Sequence, residues 1–179
     1  MDNKNKRISH EMQKKLDAVF DICEQFDSDF NRSAKYTKCY AEVMWGIFEN
    51  EMVNDNGKMV YIRGRDHFCD VTGLGPSTYS RIKRCKEDYV PSLQTFMTLC
   101  VIYNLDIPMA LILRESFGYG FNKRNRVHQA YCYLLVNCRG KSISYCNKVL
   151  KILNPNVKGN YLLGNGEIDE YALIEEVFS

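Results

Sequence analysis

The chain has 179 residues, of which 45% are hydrophobic and 26% charged, and its formal net charge is +2. This balance is typical of a soluble globular protein with a sizeable core, and the length suits one domain or two small ones. No apolar run approaches the roughly 20 residues of a membrane span, and no apolar segment follows the charged N-terminus. We therefore expect a cytoplasmic protein with no membrane partner and no secretory signal.

The first 62 residues predict two helices and a short hairpin. Apolar residues recur at three- and four-residue steps over 9–27, where a serine can serve as N-cap, and again over 33–52. The sequence Asp27-Ser28-Asp29 predicts a break between these helices. The turn signal Asn54-Asp55-Asn56-Gly57, followed by a β-prone run, predicts a β-hairpin near 52–62.

The middle of the chain predicts four short helices. They cover 66–72, 76–86, 92–104 and 106–116. Ser92 and Asp106 are expected to cap the last two helices, because their side-chain oxygens can accept hydrogen bonds from backbone N–H groups of the first turn.

The rest of the chain also predicts helices, so the expected fold class is all-α apart from the hairpin. A linker over 118–122 is followed by a helix over 127–137, a turn at 139–141, a helix from a Ser142 cap to Leu153, and a last helix over 167–178.

The residue types that carry catalysis or bind metals show no functional spacing. None of the eight cysteines forms a C-x-x-C pair, and they are spread through helical segments, as expected of reduced core thiols. The three histidines, His10, His67 and His128, are far apart in the sequence. We see no paired carboxylates and no nucleophile with an adjacent base. The sequence therefore predicts no enzyme, no catalytic residue, no metal and no cofactor.

Charge is distributed unevenly along this nearly neutral chain. Residues 63–86 carry a net charge of +4 and residues 123–141 a net charge of +5, whereas residues 167–176 carry −5. Local basic clusters favour a polyanionic partner, although basic and acidic surfaces of one chain can also pair with each other.

The most specific pattern is the stretch Thr72–Lys86, T-G-L-G-P-S-T-Y-S-R-I-K-R-C-K. A phosphate-binding loop would need Gly-Lys-Ser/Thr, or a third glycine, after a buried strand, and neither follows Gly73 and Gly75. The turn of a helix-turn-helix explains the residues better. Gly73 can end one helix in the left-handed conformation, Leu74 can anchor the turn, and Gly75-Pro76 can begin the next helix.

The helix that begins at Pro76 has distinct inner and outer faces. Tyr79 and Ile82 are three residues apart and are expected to face inward together. The side chains left on the outer face are hydroxyls and arginines: Ser77, Thr78, Ser80, Arg81 and Arg84. Short hydroxyl side chains permit a close approach to base edges, and arginine is the best bidentate reader of guanine.

Over about residues 65–111 the chain resembles the lambda-repressor-like, Xre/Cro-type family of DNA-binding domains. The resemblance is carried by Ser77-Thr78-Tyr79-Ser80-Arg81-Ile82 and by Pro91-Ser92-Leu93-Gln94-Thr95, which match the family pattern almost letter for letter. Tyr89 and Val90 are extra residues relative to that pattern. The longer connection at 54–63 is either a wing that contacts DNA or a surface elaboration.

The resemblance implies a lambda-repressor-like helix-turn-helix bundle that places helix 76–86 in the major groove of double-stranded DNA. By the matching positions, Pro76, Ser77, Ser80 and Arg81 would face bases. Arg65, Thr78, Arg84 and Lys86 would lie nearer phosphates, where basic side chains supply affinity without sequence specificity. A homodimer that regulates transcription is the corresponding expectation.

The expected domain organisation is an N-terminal unit over 1–117, with its DNA-binding core at 36–116, and a C-terminal helical region over 118–179. That region is expected to dimerise, to form a second helix-turn-helix-like unit over 127–153, or simply to pack as a small helical core. The alternative function is a protein–protein interaction module that keeps the repressor-like fold without reading DNA. The sequence predicts no particular small-molecule effector.

Overall fold

The computed structural model describes residues 9–33, 53–55, 58–84, 89–116, 120–158 and 161–168, and this part of the chain is predominantly helical. It contains one hairpin and seven helices. In chain order they are α1 (His10–Ser33), β1 (Val53–Asp55), β2 (Lys58–Val60), α2 (Gly64–Thr72), α3 (Pro76–Lys83), α4 (Leu93–Ile102), α5 (Ile107–Ser116), α6 (Arg126–Asn137) and α7 (Ile143–Leu153). Within these residues no helix is both long enough and apolar enough to cross a membrane.

Helix α1 is longer than predicted. Its start is as expected, because the Ser9 hydroxyl accepts a hydrogen bond from the Met12 backbone N–H at 3.1 Å. The predicted break at Asp27-Ser28-Asp29 is wrong, since the helix continues to Ser33. Aspartate and serine each lower helix propensity by less than about 1 kcal/mol, which a long helix packed against its neighbours can tolerate.

Two other predicted helices fall largely outside the described residues. The helix expected over 33–52 lies outside the described residues except for Ser33, which belongs to α1. Of the helix expected over 167–178, only Glu167 and Ile168 are described, and these two residues are not helical.

The predicted hairpin is present. Its strands are antiparallel, with Val53 opposite Val60 and Asp55 opposite Lys58. Strand β1 contacts α4, and the half-buried side chains of Val60 and Ile62 pack against the core. The hairpin is thus attached to the helical core immediately before α2 begins.

The predicted helix caps are confirmed where they are described. Backbone N–H groups of the first turn donate to the Ser92 hydroxyl in α4, the Asp106 carboxylate in α5 and the Ser142 hydroxyl in α7, at 3.1, 2.9 and 3.2 Å. Asn125 caps α6 in the same way, accepting a hydrogen bond from the Val127 N–H at 3.0 Å, and this cap was not predicted. These local hydrogen bonds explain why the helix starts were predictable.

Helix α4 lies at the centre of the core. Its residues from Phe96 to Ile102 are all buried, as expected for a helix that is apolar on every side. It contacts α2, α6, α7 and β1, while α1 packs against α5 and α6. One continuous apolar core therefore includes residues on both sides of position 117, from Leu16 through Phe68 to Leu163. The domain boundary that the sequence predicts between residues 117 and 118 stays a prediction.

Candidate nucleic-acid interface

The turn between α2 and α3 has the backbone geometry that its glycine predicted. Gly73 adopts φ +64°, in the left-handed region, and its N–H donates to the Cys69 carbonyl at 2.9 Å. The next N–H, of Leu74, donates to the Thr72 hydroxyl at 3.1 Å. Gly75 is extended and Pro76 begins α3. Proline suits this position because the N–H that it lacks would have no partner within the helix. Left-handed backbone is far more accessible to glycine than to other residues.

The inner face of α3 is the one that the sequence predicted. Ile82 is only 2% exposed, and Tyr79 is half-buried with its ring centroid 5.2 Å from that of Phe68 in α2. Leu74 is half-buried and packs against the same core. These contacts fix the rotation of α3 about its own axis, and so determine which side chains it presents to solvent.

The outer surface of α2 and α3 carries most of the predicted DNA-contact residues, and we call it the α3 surface. Its exposed members are Arg65, Pro76, Ser77, Arg81 and Arg84. Thr78 and Ser80 are half-buried, so the expectation that both face outward holds only in part. Lys86 lies outside the described residues. Lys83, for which the sequence predicted no role, is also exposed, with its Nζ 5.7 Å from the centre of the Tyr79 ring.

The side chain of Arg81 lies over the aromatic ring of Tyr89, a residue that follows α3 in the chain. Its guanidinium carbon is 5.7 Å from the centre of the Tyr89 ring. Tyr89 is half-buried. Burial raises the pKa of the Tyr89 phenol, while its interaction with the Thr78 side chain and the charge of Arg81 act in the opposite direction. Residues 78, 81 and 89 therefore form one contact group.

Arg65 is paired with its own neighbour. Its Nε lies 3.0 Å from the Asp66 carboxylate, and both side chains are mostly exposed. The hydrogen bond and charge of Asp66 raise the pKa of the Arg65 guanidinium. An exposed pair of this kind is weak, so an incoming phosphate could compete for the arginine.

A segment nearly 90 residues further along the chain supports the α2–α3 turn. This segment, residues 161–168, is called the C-terminal loop. It is anchored by Asn147 of α7, which is completely buried. The Asn147 amide donates to the carbonyls of Leu163 and Glu167 at 3.0 and 2.8 Å and accepts from the Leu163 N–H at 2.6 Å. The Thr98 hydroxyl accepts from the Gly164 N–H at 3.0 Å, and Gln94 donates to the Leu162 carbonyl.

The C-terminal loop touches the turn itself. A Cβ added to Gly73 would lie 2.6 Å from the Asn165 backbone nitrogen, and one added to Gly164 would collide with the Thr72 carbonyl oxygen. Two glycine backbones thus meet where side chains would not fit. The glycines of this segment predicted an irregular connection, but the neighbouring sequence gave no indication of what they contact.

The start of helix α7 faces this same region across a cleft. A cleft of about 150 Å³ lies between the turn and α7, and its lining includes Thr72, Gly73, Ser142 and Ser144. The start of α7 thus borders the α2–α3 turn, while Asn147 in its second turn is used by the C-terminal loop. This arrangement favours the packing interpretation of 127–153 over a second DNA-reading unit.

The second basic cluster, 123–141, is partly engaged within the chain. Lys123 forms an ion pair with Asp21 of α1, and this contact raises the pKa of the lysine. Arg139 donates to the Asn104 carbonyl at 3.3 Å. These contacts match the alternative in which basic and acidic surfaces pair with each other, so the cluster is a weaker candidate than the α3 surface.

Comparisons of the chain with protein-family models, curated proteins and solved structures found no match. In the described ranges, no three His, Cys, Asp or Glu side chains come together as a metal site requires. The chemistry of the α3 surface is therefore the basis for inferring a function.

Proposed function

We propose that this protein binds double-stranded DNA with sequence specificity and thereby regulates transcription, on a lambda-repressor-like helix-turn-helix fold. One observation carries the proposal. A short helix begins directly after a left-handed glycine turn, buries Ile82, and presents Arg81 and Arg84 to solvent. Few other functions require an exposed basic strip on a helix whose opposite face is buried in the core.

The dimensions of α3 are compatible with this role. An α-helix with its side chains is about 10–12 Å across, and the major groove of B-DNA is about 12 Å wide. The first two residues of the helix, Pro76 and Ser77, are exposed and have small side chains. This end of the helix could therefore approach base edges closely.

The proposed contacts divide into two classes. Arg81 pairs with a guanine, and Pro76, Ser77 and Ser80 border neighbouring bases. Arg65, Thr78, Arg84 and Lys86 serve the phosphate backbone. A homodimer would place two copies of α3 on half-sites one helical turn apart. The protein acts by binding and has no catalytic step.

Selection of binding sites from random duplexes tests the proposal directly. The full chain is incubated with the duplex pool at two salt concentrations, and bound DNA is sequenced after several rounds. The proposal expects enrichment of one motif, with weaker retention at higher salt as counterions compete for the phosphates. A palindromic motif would support a two-fold dimer. Failure to enrich any motif would favour the interaction module instead.

A further inference from the structure

We propose that Tyr89 is a positioning residue that holds Arg81 in the orientation needed to read a base. This inference deepens the proposed function and rests on it. Tyr89 lies outside α3, in the connection to α4, and it belongs to the two residues that lengthen this connection relative to the family pattern.

The placement of Tyr89 lets it act on two turns of α3 at once. Residues 78 and 81 are three apart, so their side chains lie on the same side of the helix. The Tyr89 side chain interacts with that of Thr78, and the Arg81 guanidinium carbon lies over its ring, 5.7 Å from the ring centre. Tyr89 is half-buried against the core and Pro91 is buried, and together they hold the ring in place, whereas the intervening Val90 is 55% exposed.

A cation–π contact suits a base-reading arginine because the ring attracts the charge and occupies none of the guanidinium N–H groups. Those N–H groups lie in the guanidinium plane, where they can bond two acceptors of guanine together. A long exposed side chain also loses conformational freedom when it binds, and a preset orientation reduces that loss. The aromatic contact would therefore raise affinity for the preferred site more than for other DNA.

A merely structural role for Tyr89 makes different predictions, and two variants separate the roles. Tyr89→Leu keeps an apolar side chain but removes the aromatic ring, whereas Tyr89→Phe keeps the ring and loses only the hydroxyl. If Tyr89 positions Arg81, Tyr89→Leu should reduce affinity for the selected duplex roughly two- to five-fold. Its affinity for a scrambled duplex and its salt dependence should stay unchanged. Tyr89→Phe should preserve most of the discrimination between the two duplexes.

The decisive control combines the variants with Arg81→Ala. In that background, Tyr89→Leu should have no further effect on discrimination, because the side chain that it positions is gone. An undiminished effect in the Arg81→Ala background overturns the proposal. Equal loss of affinity on both duplexes also overturns it, since a general structural defect would do the same.

A measurement without DNA distinguishes failure of this inference from failure of the proposed function. The Arg81 Nε–H resonance should experience a ring-current shift in the wild-type protein and in Tyr89→Phe, and lose it in Tyr89→Leu. A wild-type protein that shows the shift but selects no DNA sequence overturns the proposed function, and the positioning role with it. Specific DNA binding without the shift overturns the positioning role alone.

Discussion

Gly73 packs against the backbone of Asn165, so closely that a Cβ on Gly73 would lie 2.6 Å from the Asn165 nitrogen. The contact joins the α2–α3 turn to a loop close to the other end of the chain. Hydrogen bonds from Asn147 and Thr98 hold that loop in place. The orientation of α3 therefore depends on residues beyond position 160 as well as on the local turn.

Replacement of Gly73 by alanine should destabilise the protein by about 2–4 kcal/mol. A residue with a Cβ in left-handed backbone costs about 1–2 kcal/mol, and the collision with Asn165 adds to this cost. Gly140→Ala is a matched control, because Gly140 has φ +71° with no atom near the position of a new Cβ. Urea unfolding of both variants isolates the contribution of the contact. Equal destabilisation would mean that the Gly73–Asn165 contact contributes nothing.

Substitution of Asn147 by leucine should lower the free energy of unfolding by about 2–4 kcal/mol. The change removes three hydrogen bonds and leaves the buried N–H and carbonyl of Leu163 without their partner. Asn137→Ala, at an exposed position of α6 with one amide bond to the Tyr133 carbonyl, should cost less than about 1 kcal/mol. Hydrogen exchange should show faster exchange at the Leu163 and Gly164 amides in Asn147→Leu. Unchanged protection there would contradict the anchoring role.

Stability should fall as the pH is lowered from neutrality, with a contribution from His128. Burial lowers the pKa of this histidine, whose Nδ1 accepts a hydrogen bond from the Asn122 N–H at 3.0 Å. The unfolded chain therefore binds the proton more readily than the folded protein does. The contribution of neutral His128 is complete above its unfolded pKa of about 6.5 and is lost as the pH falls below it. His128→Gln should flatten the dependence of unfolding free energy on pH between 7.5 and 5, and an identical slope in the variant would refute this assignment.

Features set by short-range interactions were predictable from the sequence. The caps at Ser92, Asp106 and Ser142 bond to N–H groups three residues away, and the left-handed Gly73 follows from the turn that it must make. The break expected at Asp27-Ser28-Asp29 failed because local propensity is weak compared with helix continuity and packing. The hairpin was also predictable from its turn signal.

Features that depend on tertiary packing could not be predicted in the same way. The partial burial of Thr78 and the position of the Tyr89 ring arise where Tyr89 packs back on the helix. Asn147 looked like an ordinary polar residue in an amphipathic helix, because its partners lie 16 and 20 positions away in an irregular segment. Spacing within one helix carries no information about such partners.

The exposed basic strip of α3 leads to a prediction for Arg81 that is independent of Tyr89. Arg81→Ala should weaken binding to the selected duplex by about 1–3 kcal/mol and relax the preference at one base position. Lys151→Ala is the matched control, since Lys151 is an exposed cation in the last turn of α7 with no place in the proposed interface. This control should leave affinity for both duplexes unchanged.

The most direct test of DNA recognition by α3 is the ratio of affinities for the selected and scrambled duplexes, measured for wild type, Arg81→Ala and Lys151→Ala over a series of salt concentrations. We predict a ratio that falls about 5- to 150-fold in Arg81→Ala, corresponding to about 1–3 kcal/mol, and stays constant in Lys151→Ala. An Arg81→Ala protein that retains the wild-type ratio, or a wild-type protein without salt-dependent binding, would contradict it.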